Sequence, residues 1–482
     1  MLRTVTPARA YADADAACPT IEAILPHLFL LGLGLLLCLL YAVDARRLPL
    51  TSVTNVASLC AVAAVLMAVR VSPRRLWSAS AVYLVVLTIF HLGLTAIYGL
   101  DLPLGDGAFM DWLQEWSYTP FTNEAVLLAA IGIVSCAAGV IVALLLGART
   151  TGRVPPDRLS VYAPFATAGL ALVLVSVSLW LIIAVRAGGV GILIGGYENF
   201  LSVVGESTPQ TLAFYGINLG TTCLAAARPS RLRRAGFTVF ALWALIALPL
   251  GFRGFVLFPG LTIFVIIAKR RRPFSARMAL LIGLVALSGI AALRQVRQVG
   301  VQNVSAATVT TGSPLAGLTE LGSSLRPLSE TVYWHETGDP FIMGASYWAP
   351  LDRTITRLFP ARDWKLPPAE EDPRVLTSLA QMRGAGSIAF SVVAEAYRNF
   401  GSPGVCLIMF SIGILLGRMD LWPATPVRDV MLGAVLVPLL FEVRNDFTAV
   451  PLQILLGVLL LGATLLIART IREVTGARTS LT

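Results

Sequence analysis

Arginines recur at the ends of apolar runs in this 482-residue chain. Arg186 closes one run, and Arg253 sits in a Gly-Phe-Arg-Gly turn between two short ones. Arg294 and Arg297 fall three apart, on one helical face, and Arg444 follows Glu442 and precedes Asn445 and Asp446. Guanidinium is a planar fork of donors that stays charged in a low-dielectric setting, so a convergence of such groups points to phosphate or pyrophosphate. The plainer alternatives are Arg444 neutralising Glu442 or Asp446, and Arg253 snorkelling to an interface. Further on, Ser387, Ser391, Glu395 and Arg398 are spaced to form one narrow polar stripe on a helix. Glu395 is the best-placed general base, since burial beside apolar neighbours makes a carboxylate more basic. A salt bridge from Glu395 to Arg398 is the competing use. The segment 333–353 gathers Tyr333, Trp334, Tyr347 and Trp348 beside His335, Glu336, Asp339 and Asp352. Flat aromatic faces with carboxylates suit sugar rings, although the same content suits a headgroup belt. His335 is the second candidate for accepting a proton.

The elements that must position these groups are membrane helices. Of the residues, 56% are hydrophobic and 13% charged, and runs near 20 apolar residues recur, each long enough to cross the hydrocarbon core. The chain is therefore expected to be an all-α polytopic membrane protein of about twelve spans, near 21–43, 50–69, 76–100, 124–147, 161–185, 211–227, 235–250, 254–268, 278–293, 403–417, 429–447 and 449–468. Its first apolar run is a full span rather than a cleavable signal. Three regions follow: 1–293 with nine spans, 294–402 as one large loop with short helices, and 403–482 with three more spans. Counting basic residues over the short loops puts the N- and C-termini on the cytoplasmic side and the 294–402 loop outside. Arg46 and Arg47 fall on the wrong side of that count. Within the large loop, 387–398 is expected to be a short amphipathic helix of about 17 Å, lying against the outer face and broken from the next span by the sequence around Gly401.

Several chemistries are excluded. The net charge of +10 comes largely from arginines in short loops beside apolar spans, so it sets orientation and does not indicate nucleic acid. Cys18, Cys38, Cys60, Cys136, Cys223 and Cys406 have no CxxC spacing, which points away from a disulfide framework or a metal site. Phosphate-loop, dinucleotide, HExxH and GxSxG motifs are absent. The one DxD, Asp13 with Asp15, lies in the N-terminal tail and reads as a solvated pair. No metal and no cofactor is expected.

The segments "GASYWAPLDRTITRLFP" and "GAGSIAFSVVAEAYRNFGSPGV" resemble the Wzy-type O-antigen polysaccharide polymerases. The resemblance rests on Gly344, Ser346, Tyr347, Pro360, Ser387, Glu395, Tyr397, Asn399, Phe400 and Gly401, about 60 residues of motif, with the span layout agreeing beyond it. It implies a metal-independent glycosyltransferase of the GT-C type in the plasma membrane, working on undecaprenyl-pyrophosphate-linked oligosaccharides on the outer face. A flippase and a chain-length regulator would be its partners. Arg253, Arg444, Arg294, Arg297, Arg398 and Arg186 would hold the departing pyrophosphate, Glu395 or His335 would take the hydroxyl proton, and Tyr333, Trp334, Tyr347 and Trp348 would hold sugar. The rivals are a lipid-linked glycan ligase, another glycosyltransferase using Asp44 in the first outer loop, and a twelve-helix transporter. The transporter reading lacks repeated halves and midplane polar residues.

Overall fold

The computed structural model describes residues 21–43, 45–102, 120–148, 164–205, 208–271, 275–299, 313–358, 366–385 and 388–479. Asp13, Asp15, Cys18, Asp44, Pro360 and Ser387 lie outside them. The described residues form helices α1 (Ile21–Ala42), α2 (Leu50–Val71), α3 (Ala79–Gly99), α4 (Pro120–Ala148), α5 (Phe165–Gly188), α6 (Tyr197–Val204), α7 (Thr208–Ala226), α8 (Arg231–Ala247), α9 (Arg253–Arg270) and α10 (Ala276–Val299). The loop that follows carries α11 (Pro314–Gly322), α12 (Arg326–Glu336), α13 (Ala345–Leu358) and α14 (Leu376–Met382). The chain then returns through α15 (Val392–Asp420), α16 (Pro426–Glu442) and α17 (Val450–Thr479).

Eight helices among the described residues are long and apolar enough to cross a membrane, lying in α1–α5, α10, α15 and the segment ending in α17. This is a multi-pass membrane protein. Four more helices, α7, α8, α9 and α16, occupy the remaining expected positions, with 19, 17, 18 and 17 residues. Polar contacts between separate elements collect at the two ends of the bundle. At one end Asp420 accepts from the Ala79 amide at 2.7 Å and Asp429 from Arg270 Nε at 2.8 Å. At the other, Arg46 meets Glu124 and Arg253 meets Glu320. The α1–α2 and α8–α9 connections thus lie at one end, and the α2–α3, α9–α10 and α15–α16 connections at the other.

The tightest helix pair is α4 with α15. A side chain at Gly413 would run into the Cys136 carbonyl, and one at Gly139 into that of Phe410, so the two backbones touch. Helices in lipid gain little from hiding apolar surface from each other, and such close approach supplies dispersion contact instead. Gly413→Leu is expected to separate this pair. The measurement is the melting temperature of the detergent-purified protein, lowered by several degrees for a cost of about 2 kcal/mol. A second apolar cluster forms around Trp180, Phe200, Trp243 and Phe252 and joins α5 to α9.

The short amphipathic helix expected at 387–398 differs in two respects. It begins at Val392, because Ser391, not Ser387, is the N-cap, its hydroxyl accepting from the Ala394 amide at 3.2 Å. It also runs on into the following span, so the expected boundary at 402 falls inside α15. The break survives as a kink at Gly401, whose φ of 68° is a conformation open to glycine. The kink takes the Arg398 and Asn399 carbonyls out of the helical ladder, and the amides of Ile342 and Met343 bond to them at 3.2 and 3.0 Å.

Candidate active site

The two motif segments are one physical unit. Gly344 lies against the Phe400 ring, and Tyr347 stacks near it, with centroids 6.4 Å apart. Ser346 Oγ donates to Glu395 Oε1 at 2.5 Å and accepts from Asn399 Nδ2 at 2.7 Å. The second Glu395 oxygen, Oε2, accepts from the Phe447 amide at 2.7 Å. Glu395 is 1% exposed, with a hydrogen bond on each oxygen. It therefore ties three segments together: the start of α15, the start of α13 and the turn 443–449. No Glu395–Arg398 bridge forms. Arg398 reaches Asp339 instead, at 3.4 Å, and Asp339 also takes Arg383 at 2.7 Å.

That turn also carries Arg444. Burial, with the neighbouring positive charge of Arg253 next, pushes the Arg444 guanidinium down to about 10, so it stays cationic near neutrality. Glu320, Arg297 and Tyr197 are the other groups acting on it. Arg253 is 2.6 Å from Glu320, and Arg297 lies over the Tyr197 ring at 4.5 Å. Gly251, with a φ of 86°, lets the chain pass where any side chain would strike Tyr197 and Arg297. Arg253, Arg297 and Arg444 therefore come near one another from three segments, with the Glu320 carboxylate paired to Arg253 and acting on Arg444. Among the described residues Arg444 has no ion pair with Glu442 or Asp446. Arg294 is half-buried one turn before Arg297, and Arg186 is exposed at the end of α5.

Beside the arginines opens a cleft of about 400 Å³ lined by Tyr197, Gln210, Phe255, Glu442, Asp446 and Gln453, among others. Glu442 is 3% exposed, and its Oε2 has no hydrogen-bond partner; Asp446 Oδ2 has none either. Burial pushes the Asp446 carboxyl up, against hydrogen bonding from Thr448 and Thr377. Burial, then the charges of Glu395 and Glu442, pushes the buried Tyr347 phenol well up.

The aromatic residues are divided. Trp334 is buried against Phe390, and Tyr347 packs on Phe447 at 5.4 Å. Tyr333 and Trp348 are exposed, and of the four they alone offer a free face. His335 stacks on Phe341 at 4.0 Å with Nδ1 held 3.0 Å from the Asp339 carbonyl. Beyond it the loop is clasped by Asp372, which takes Arg353 at 2.7 Å and Arg374 at 3.0 Å. Burial works to raise the Asp372 carboxyl, but the hydrogen bonds from Arg374 and Arg353 outweigh it and hold it below the usual aspartate range. Arg46, which sat on the wrong side of the charge count, is bound by Glu124 at 2.9 Å and Glu336 at 2.8 Å. Tyr41 donates to the same Glu124 at 2.9 Å.

Sequence reasoning missed Glu320 and gave Glu442 only a neutralising role. A lone acid in the apolar stretch 314–322 was the available signal for Glu320, since such an acid needs a partner at depth.

An all-helical, multi-pass membrane protein with cations and carboxylates gathered at one end is the class that fold and site define. The chain belongs to the O-antigen polysaccharide polymerase Wzy family, whose model matches residues 27–473. A stretch of 141 residues, 29% of this chain, is 28% identical to Protein CapE of Staphylococcus aureus and covers 30% of that protein's length. No solved structure matches the chain.

Proposed function

We propose that this protein polymerises lipid-linked oligosaccharide repeat units, moving the growing chain from its undecaprenyl pyrophosphate onto the next lipid-linked unit. The observation that carries this reading is the approach of Arg253, Arg297 and Arg444 to one another, with Glu320 paired to Arg253, beside a cleft edged by Glu442 and Asp446. Three guanidinium groups against Glu320 leave about two positive charges, which suits a departing diphosphate. A hydroxyl of the acceptor sugar attacks the anomeric carbon of the donor chain. The bond from that carbon to the pyrophosphate oxygen breaks, and the charge on the leaving oxygen is met by donors already in place. The hydroxyl proton passes to Glu442, which lines the cleft and whose Oε2 has no hydrogen-bond partner. Glu395, with both oxygens engaged and shut off from the cleft, acts by fixing the turn that bears Arg444 and Asp446. Arg294, Arg398 and Arg186 add positive potential at the same end, Asp339 holds Arg398 while His335 bonds to the Asp339 carbonyl, and Tyr333 and Trp348 offer faces for the chain.

The frame for this chemistry is a twelve-span, GT-C-like bundle in the plasma membrane. Both termini are cytoplasmic and the 294–402 loop is outside, as the basic loops indicate. Arg46 fits that orientation because its two carboxylate partners cancel its charge. A flippase that supplies units and a chain-length regulator are its expected partners. The test is gel analysis of glycans from a strain lacking the gene. Single lipid-linked units should accumulate and return to a ladder on complementation, whereas full-length chains stranded on lipid would mean a ligase.

A further inference from the structure

We infer that the opposite end of the bundle holds a binding pocket for a phosphate-bearing anion, filled in the membrane by the head group of an acidic lipid. The inference is independent of the catalytic reading. A hollow of about 600 Å³ lies between the α2–α3 connection and the α9–α10 connection. Arg74, Arg75, Lys269, Arg270 and Arg271 line it. Basic loops orient membrane proteins, and cations dispersed in water at this end would need no ligand. These are not dispersed. The Lys269 side chain is 3% exposed, its ammonium 3.8 Å from Asp429 and without a hydrogen bond. Asp429 gives its closer contacts to Arg270, at 2.8 Å from Nε. The other acid at this end, Asp420, is committed to the backbone amides of Ala79 and Ser80 at 2.7 and 3.2 Å and to the Ser80 hydroxyl. Arg74 donates to the Lys269 carbonyl at 3.5 Å. Among the described residues, no carboxylate pairs with Arg74, Arg75 or Arg271. Arg75 also holds a φ of 50°, an uncommon and costly backbone state for a non-glycine residue. The hollow thus concentrates positive charge that Asp429, shared between Lys269 and Arg270, does not balance, and a phosphate group supplies the negative charge that Arg74, Arg75 and Arg271 lack.

Position favours a lipid source. Leu76, Trp77, Ala268 and Ala276 complete the lining, so the charged wall meets apolar surface. Ala276 opens α10, whose spanning stretch is only 6% buried within the protein and so faces the bilayer. Basic pockets at such a boundary recognise acidic head groups, each arginine contributing about 1 kcal/mol.

The test uses the full chain in nanodiscs of phosphatidylcholine, with and without cardiolipin, and in phosphatidylcholine with inorganic pyrophosphate added. Melting temperature and lipid retained in native mass spectrometry are the readouts. Cardiolipin should raise the melting temperature of wild type and remain bound. The Arg75→Gln/Arg271→Gln variant removes two exposed side chains and leaves the Lys269–Asp429 core whole. Its affinity should be weaker by roughly 30-fold, about 5-fold for each arginine. A pyrophosphate shift that the double variant loses, with none from cardiolipin, would keep the anion pocket and overturn the lipid source, whereas a pyrophosphate shift that the variant keeps, with none from cardiolipin, belongs to the arginine cluster at the other end and overturns the pocket. No shift with either anion, or full cardiolipin retention by the double variant, overturns the pocket.

Discussion

Arg444→Ala should leave the protein in the membrane at its normal level and reduce the glycan ladder to single units. Arg444 is half-buried, but it stands on a turn, and among the described residues it has no hydrogen bond or ion pair to another side chain, so its loss is expected to remove charge without undoing structure. Removing one preorganised donor from a developing negative charge costs a factor of about 100 to 1,000 in rate. Arg444→Lys keeps the charge and loses the fork, so partial activity is expected from it. The check is a turnover assay with purified lipid-linked units beside an immunoblot of the membrane fraction. Normal polymer from Arg444→Ala would end the pyrophosphate role of the cluster.

Glu442→Gln should be at least as severe, at about 100- to 10,000-fold for the loss of a proton acceptor. Its value lies in the contrast with Glu395→Gln. A glutamine at 395 can still accept one hydrogen bond, but it turns an amide nitrogen toward either the Phe447 amide or the Ser346 hydroxyl. Glu395→Gln should therefore lower the melting temperature and the rate together, whereas Glu442→Gln should lower the rate alone and flatten the acidic limb of the pH profile. Equal melting losses in both variants would return Glu442 to a packing role and reopen the choice of base.

Much of this arrangement was legible from composition and spacing, for identifiable reasons. A transmembrane helix must satisfy its backbone internally and its side chains with apolar groups, so the spans stand out as runs. An arginine in such a setting needs an anion, so Arg253, Arg297 and Arg444 announced themselves. Their relation to Glu320 did not, because the pair joins α9 to α11 across a tertiary contact with no local periodicity. The role of Glu395 was obscured in the same way. The stripe from Ser387 to Arg398 marks a polar face, but the partner that fills Glu395 Oε2 is a backbone amide at Phe447, invisible to any pattern of residue types. Arg398 likewise found Asp339, 59 residues away, in preference to a neighbour on its own helix. Trp334 shows the converse error: aromatic content suggested a sugar platform where the fold needed a core residue.

The carboxylates that hold Arg46 bear on how the protein is made. Glu124 leaves the ribosome 78 residues after Arg46, a delay of roughly 4 to 16 s at ordinary elongation rates. Glu336 arrives much later still. In the orientation proposed above, the first hairpin for that interval holds Arg46 outside without either of the carboxylates that later bind it. On that reading its placement depends on acids encoded in the fourth and twelfth helices, and chains truncated before Glu124 are expected to misplace the loop.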